Sequence, residues 1–325
     1  MMPNENVYTD SNGNRILRKD IEMICEEHQI GRLIKVVGSP NNGNINGIIF
    51  VQTAKGKYVI RSLSIYTTKE RIVYLENVLR ALKNVGVPVL RSIKTQGNDY
   101  YSKKGGKFIQ VYPYVAGHKF MFLKQQIEAN AKMLSKFHQT LASFEQGPLP
   151  DVFIYPNLRN LTNKIQTLTI GNNALPSKTV SKIVSLYSSI EKQWERINPK
   201  DLPKTIIHDD WHPWNMVYKA NGSVAAILDY DYFQQGERIY DIAYVLYYLN
   251  KRVIGGNLKQ TRLFLRSYGE LIDIEKAILP IVIAKVALFN ILFATNNKSE
   301  DKLNRILHVN EELINRLLNK GLLGS

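Results

Sequence analysis

Hydrophobic and polar positions divide the chain into a first third with strand grammar and a remainder that is mostly helical. Leu33 to Val37 and Gly47 to Thr53 are short β-rich runs separated by the turn formers Gly38 to Asn44, which predicts a hairpin with a long Gly/Asn tip. Lys55-Gly56-Lys57 turns the chain into Tyr58 to Leu63, where a period of two puts Val59, Arg61 and Leu63 on one face. Thr68 to Leu82 follows with Ile72, Leu75, Val78, Leu79 and Leu82 at helical spacing. Val87-Pro88-Val89 opens an extended segment, and Phe108 to Tyr112 is a further strand ending at Pro113, which cannot continue a central ladder.

Beyond a boundary placed between Pro113 and Gly117, Gln126 to Phe144 and Ser177 to Ile197 each carry an apolar stripe. A β island from Thr205 to Asp231 interrupts the helices, which resume at Tyr240. The longest apolar stretch, Ile278 to Ala294, contains Pro280, Lys285 and Asn290 and falls short of the roughly 20 residues a bilayer span needs. It predicts a buried core helix, and no membrane partner.

Composition narrows the class. With 325 residues, 44% hydrophobic and 22% charged, the chain has ordinary globular proportions, which excludes disorder, collagen-like repeats and a small disulfide scaffold. The single cysteine, Cys25, cannot form an internal disulfide; it lies on a helix expected over Lys19 to Gln29 and reads as a buried structural thiol. Met1 to Arg15 is polar and Asn-rich with no apolar run, so no secretory leader and a cytoplasmic location are expected.

A net charge of +15 invites nucleic acid as a partner. The chain has no zinc-finger spacing, no aromatic RNA-binding signature and only short basic pairs such as Lys103-Lys104, so a solvated basic surface is expected and no nucleic acid. Against that background Asp209, Asp210, Asp229, Asp231, Glu237 and Asp241 form an acidic knot opposed only by Lys219 and Arg238.

Within the knot, Met216 to Tyr218 and Val224 to Leu228 flank Ala220-Asn221-Gly222-Ser223, and Asn-Gly is a strong hairpin signal. With Asn221-Gly222 as the two turn residues, Ala220 pairs with Ser223 and Asn215 falls opposite Leu228, one residue from Asp229. Strands about 4.8 Å apart then let Asn215 and Asp229 converge as hard oxygen ligands suited to Mg²⁺. His208 and His212 with intervening acids echo the zinc helix H-E-x-x-H, but Pro213 follows at once and Thr205-Ile206-Ile207 read as strand, which removes the helix that motif requires.

The segment His208-Asp209-Asp210-Trp211-His212-Pro213-Trp214-Asn215, followed by Ile227-Leu228-Asp229-Tyr230-Asp231, resembles the catalytic loop and metal-binding segment of the aminoglycoside phosphotransferase and choline kinase family. That family includes kinases for antibiotics, choline, homoserine, methylthioribose and N-acetylhexosamines, and spore-coat proteins of kinase fold. The resemblance implies an α+β, bilobal, protein-kinase-like fold: a small antiparallel-sheet lobe over residues 1–113 and a larger, mainly helical lobe over 114–325, with ATP in the cleft between them.

It implies Asp210 as the base that accepts the proton of a substrate hydroxyl, and Asn215 and Asp229 as Mg²⁺ ligands on the ATP phosphates. Gly38 to Asn46, including Asn44, is similar to the family's loop over the nucleotide phosphates, Arg61 stands where its third strand carries a phosphate-binding Lys, and Glu76 is favoured over Glu70 as the acidic partner of that residue. Val111, Tyr112 and Tyr114 fall in the stretch similar to the hinge that binds adenine, and Asp241 matches a structural Asp that steadies the catalytic loop. Asp209 replaces the usual Gly. The implied activity is ATP- and Mg²⁺-dependent transfer of phosphate to a hydroxyl of a sugar, amino alcohol or antibiotic; the other expectation is a non-catalytic binding or spore-coat-type protein of the same fold. The net basic helical part counts against a polycationic aminoglycoside.

Overall fold

The computed structural model describes residues 7–40, 46–150, 158–170, 175–251, 257–295 and 299–322. The chain divides into two compact units, one made of Met1–Gly117 with Gly147–Asp151 and Ala226–Leu228, the other of the remaining residues.

The first unit opens with a short hairpin, β1 (Val7–Thr9) against β2 (Arg15–Leu17), followed by α1 (Arg18–Glu27). A five-stranded antiparallel sheet then runs through β3 (Leu33–Gly38), β4 (Gly47–Thr53), β5 (Gly56–Ser62), β6 (Ser102–Lys104) and β7 (Lys107–Pro113) in the order β3-β4-β5-β7-β6, with α2 (Lys69–Asn84) between β5 and β6 in sequence. The alternation of β4 sends Ile49 and Val51 to one face, where they pack with Ile60, Ile109, Val111 and the Ile21, Ile24 and Cys25 side of α1. Cys25 is the buried thiol expected, and burial pushes it up to about 11. Thr68 caps α2 by accepting a hydrogen bond from the Arg71 amide at 3.2 Å.

The second unit is mainly helical: α3 (Lys124–Leu141), α4 (Leu158–Ile170), α5 (Ser177–Ile197), α6 (Ile239–Asn250), α7 (Leu258–Tyr268), α8 (Asp273–Thr295) and α9 (Glu300–Lys320). Helix α8 is apolar nearly all round and packs against α5, α6 and α9. Among the described residues it alone is long and apolar enough to cross a membrane, yet 78% of its apolar window is buried inside the protein, as a core helix should be.

The β island consists of β8 (Lys204–Ile207), paired antiparallel with β11 (Gln234–Glu237), and a hairpin of β9 (Met216–Tyr218) and β10 (Val224–Ile227). The hairpin corrects the expected register by one residue. Lys219 N donates to Ser223 O and Gly222 N to Lys219 O, so the loop has three residues, with Gly222 left-handed at φ +82° and Asn221 not. A two-residue type I′ turn needs both central residues left-handed; a three-residue loop needs only the glycine. Lys219 therefore faces Ser223, and counting outward puts Asn215 opposite Ile227 instead of Leu228. A side chain at position 222 would also meet Gln125, 2.6 Å from a Cβ placed there.

Candidate active site

The loop from His208 to Asn215 joins β8 to β9 and is anchored from beneath. Asp241, in the first turn of α6, accepts hydrogen bonds from the backbone amides of His208 (2.8 Å) and Asp209 (2.9 Å). The same carboxylate lies 3.1 Å from His138 Nε2 on α3, whose Nδ1 is 2.8 Å from the Tyr268 hydroxyl on α7. Three helices thus fix two consecutive amides of the loop, and His138 is a packed core histidine. Inside the loop, His208 sits among the rings of Phe137, Trp211, Tyr230 and Phe233, and Trp211 is fully buried with its indole N–H donated to Asn130 on α3 at 3.0 Å.

With His208 and Trp211 turned inward, Asp210, His212, Trp214 and Asn215 form the half-buried side. Asn215 Nδ2 donates to Asp210 Oδ2 at 2.8 Å and to the Asp210 carbonyl at 3.0 Å. This fixes the carboxylate and leaves the amide oxygen of Asn215 for another partner. Burial and then the Asp229 carboxylate hold the Asp210 carboxyl well above the usual carboxylate range. Asp210 and Asn215 are thus hydrogen-bonded to each other, and the Asp229 charge acts on Asp210, with the hairpin register shifted by one. His212 Nε2 is 3.8 Å from Asp210 Oδ2, but burial pushes that imidazole down to about 3, so the contact is not an ion pair at neutral pH.

Asp209 and Asp229 both occupy left-handed backbone, at φ +62° and +63°. Position 209 favours glycine for this reason, and aspartate is among the few side chains that tolerate it. The second carboxylate does not stand beside the first: Asp209 is 1% exposed and accepts from Gln234 Nε2 at 2.7 Å. Its Oδ1 is buried with no hydrogen-bond partner, and burial followed by the Asp241 carboxylate pushes its pKa well above normal.

In the first unit, Arg61 lies half-buried on β5, opposite Ile48 and Gln110 on the flanking strands. Glu76 is 2% exposed and is not set against Arg61 as expected: it accepts from Arg91 Nε at 3.2 Å and from the Ser92 amide at 3.1 Å. The physical reason is that the chain leaving α2 returns past Glu76 at Arg91-Ser92 and offers both a cation and an N–H, which offset part of the upward push that burial gives this carboxyl. Val111 and Tyr112 are buried in β7, where the Val111 carbonyl already accepts from Ile93 N at 2.7 Å. Tyr114 N donates to Lys57 O at 3.0 Å, so this amide is not open to a purine, while the Tyr114 ring is 45% exposed against Phe50. Asn44 lies outside the described residues.

Residues 38–271 match the model of the phosphotransferase enzyme family. The chain belongs to that family. It is 23% identical over 291 residues to a homoserine kinase of Caulobacter vibrioides, covering 87% of this chain and 86% of that one. Among solved structures it is similar to a microcompartment-associated aminopropanol kinase (TM-score 0.70, 13% identity, 93% and 99% of the two chains). An amicoumacin kinase bound to AMP-PNP, Ca²⁺ and its antibiotic superposes with a TM-score of 0.68 at 15% identity, covering 92% and 96%. These likenesses fix the fold as protein-kinase-like.

Sequence reasoning missed the cation opposite Glu76 and, beyond Asp241, the side chains of α6 that face the loop. The latter had a readable signal: Asp241, Tyr244, Tyr248 and Lys251 recur at helical spacing.

Proposed function

We propose that this phosphotransferase is an ATP- and Mg²⁺-dependent kinase that phosphorylates a hydroxyl group of a small molecule. The observation that carries the reading is Asp210, held by Asn215 at 2.8 Å beside Asp229 on a loop whose backbone is fixed by Asp241. A carboxylate so placed can accept the hydroxyl proton as the oxygen attacks the terminal phosphorus and ADP departs.

The donor set suits Mg²⁺. No group of three or more His, Cys, Asp or Glu side chains among the described residues is arranged to hold a metal. One carboxylate (Asp229) and one amide oxygen (Asn215) are what a cation needs when waters and nucleotide phosphates complete its shell. Bound there, the ion would neutralise phosphate charge and lower the pKa of the adjacent Asp210 carboxyl. Arg61 would supply a fixed positive charge to phosphate, in place of the family's lysine.

The acceptor has a hydroxyl and is small, as the names of the homoserine, aminopropanol and amicoumacin kinases suggest. The test is ADP release from ATP with a panel of amino alcohols, hydroxyl amino acids, sugars and antibiotics, with Mg²⁺ or with chelator, beside a thermal-shift titration of nucleotide. Acceptor-dependent ADP release that chelator abolishes is expected. Neither a nucleotide-induced shift nor ADP release with any acceptor would instead indicate a kinase-fold protein without turnover.

A further inference from the structure

Helical turns favour Ser, Thr, Asp or Asn at the capping place, because a short side-chain oxygen accepts an exposed amide there. The short 3₁₀ turn Pro213–Asn215 instead begins at His212, whose Nδ1 accepts the Trp214 amide at 3.2 Å. That bond settles the tautomer. A ring nitrogen that accepts an N–H carries no proton, so the imidazole is neutral with its proton on Nε2, at the opposite edge of the ring. Nε2 lies 3.8 Å from Asp210 Oδ2, too far for a hydrogen bond between them, but one oxygen atom standing to the side can be within hydrogen-bond reach of both. Oδ2 already accepts from Asn215 Nδ2 at 2.8 Å, whereas Oδ1 accepts no hydrogen bond among the described residues. The ring is held at its far edge by the Trp214 amide and on its flank by the Tyr248 ring of α6, 5.2 Å away between centroids. The His212 and Asp210 side chains are 20% and 18% exposed, so both reach the surface.

Resting on the kinase reading above, we propose that His212 is a second catalytic residue: its Nε2–H donates a hydrogen bond to the acceptor's hydroxyl oxygen while that hydroxyl donates to the Asp210 carboxylate. A hydroxyl has one proton and two lone pairs. With the proton on Asp210 and one lone pair on His212, the remaining lone pair is the one that forms the bond to phosphorus. As that bond forms, the O–H bond breaks, its proton passes to the Asp210 carboxylate, and the bond from phosphorus to the leaving oxygen of ADP breaks with its electron pair. His212 neither gains nor gives up a proton. Because Nε2 is already protonated it is not the base, which sets this pair apart from a histidine and aspartate relay. An asparagine at this position would cap the turn equally well, so the cap alone does not account for a histidine here.

Two substitutions separate the two edges of the ring. The amide of asparagine reaches about as far as Nδ1 and keeps the cap, whereas that of glutamine reaches about as far as Nε2 and keeps the donor. Acceptor kcat/KM with homoserine and with aminopropanol as probes, and ATP hydrolysis with neither, are measured for wild type, His212→Asn and His212→Gln, beside each variant's melt and its thermal shift with ATP and Mg²⁺. His212→Asn should melt like wild type, keep the nucleotide shift, and lose roughly 10- to 100-fold in rate with every acceptor that turns over, the range of one hydrogen bond to a positioned atom. His212→Gln should recover most of that loss while melting lower than wild type. His212→Asn at the wild-type rate, or His212→Gln as slow as His212→Asn, overturns the assignment, while turnover by wild type leaves the kinase reading standing. A His212→Asn loss that appears as a raised KM for ATP puts the imidazole on the phosphates and overturns it as well. No ADP release by wild type with either probe or with water overturns both readings.

Discussion

Asp209 carries an acid into a position where backbone geometry asks for glycine and burial asks for no charge. At φ +62° and 1% exposure it keeps one oxygen on Gln234 and leaves the other without a partner. Its folded pKa is raised by burial, so its contribution to stability is fully present below the unfolded value near 3.8 and is lost as pH rises through the folded value. Asp209→Asn keeps the tolerance for left-handed backbone and an oxygen for Gln234, and removes the charge. It should stabilise the protein at pH 7 by roughly 1–3 kcal/mol, with the gap to wild type shrinking toward pH 4 in thermal melts. A variant that melts lower than wild type at pH 7 would contradict this. The sequence displayed Asp210, Asn215 and Asp229 because their order and spacing carry the signal. It could not display where Asp209 points, because neighbours on a loop diverge according to φ, which residue types only bias.

Helix α6 anchors the catalytic loop through Asp241. Asp241 supplies both of its oxygens to buried loop amides, an arrangement that the amide of an asparagine can satisfy only once. Asp241→Asn should therefore cost about 1–3 kcal/mol for the orphaned N–H and, by loosening the loop, lower kcat by up to roughly 100-fold. Thermal melts and steady-state kinetics check the two halves, and a variant with native melting and native kcat would remove Asp241 from its anchoring role. Periodicity displayed the long elements with little error, since α2, α3, α5 and α8 and strands β3, β4, β5 and β7 each carry enough repeats to be read. It did not display β1, β2, β6 or β11, whose three or four residues hold no full pattern and are fixed by their pairing partners, nor α4. The hairpin register was off by one because Asn-Gly fits both a two-residue turn and the last two places of a three-residue loop.

At the scale of the molecule, the +15 charge marks neither of the two features that matter most, an acidic knot at residues 209–241 and a buried lysine in the helical core. Lys285 on α8 is fully buried, its Nζ lies 3.0 Å from the centre of the Trp194 ring and has no hydrogen-bond partner, and burial pushes its pKa down to about 6. With its pKa so lowered, it is predominantly a neutral amine over a ring at pH 7. A base whose folded pKa is depressed gives its full stability only above the unfolded value near 10.5 and loses it as pH falls to about 6. Lys285→Met should stabilise the protein at pH 7 by a few kcal/mol, on the order of 2–4, and flatten the rise in melting temperature between pH 6 and pH 10. An unchanged pH slope would show that the amine is solvated. The membership of the chain in the phosphotransferase family and its kinase-like fold rest on most of its length, whereas the chemistry rests on one carboxylate. The direct measurement is phosphoryl transfer by Asp210→Asn beside nucleotide binding by the same variant. The expected result is a loss of roughly 100- to 10,000-fold in kcat with the ATP and Mg²⁺ thermal shift retained; an Asp210→Asn enzyme that transfers phosphate at the wild-type rate would contradict the account.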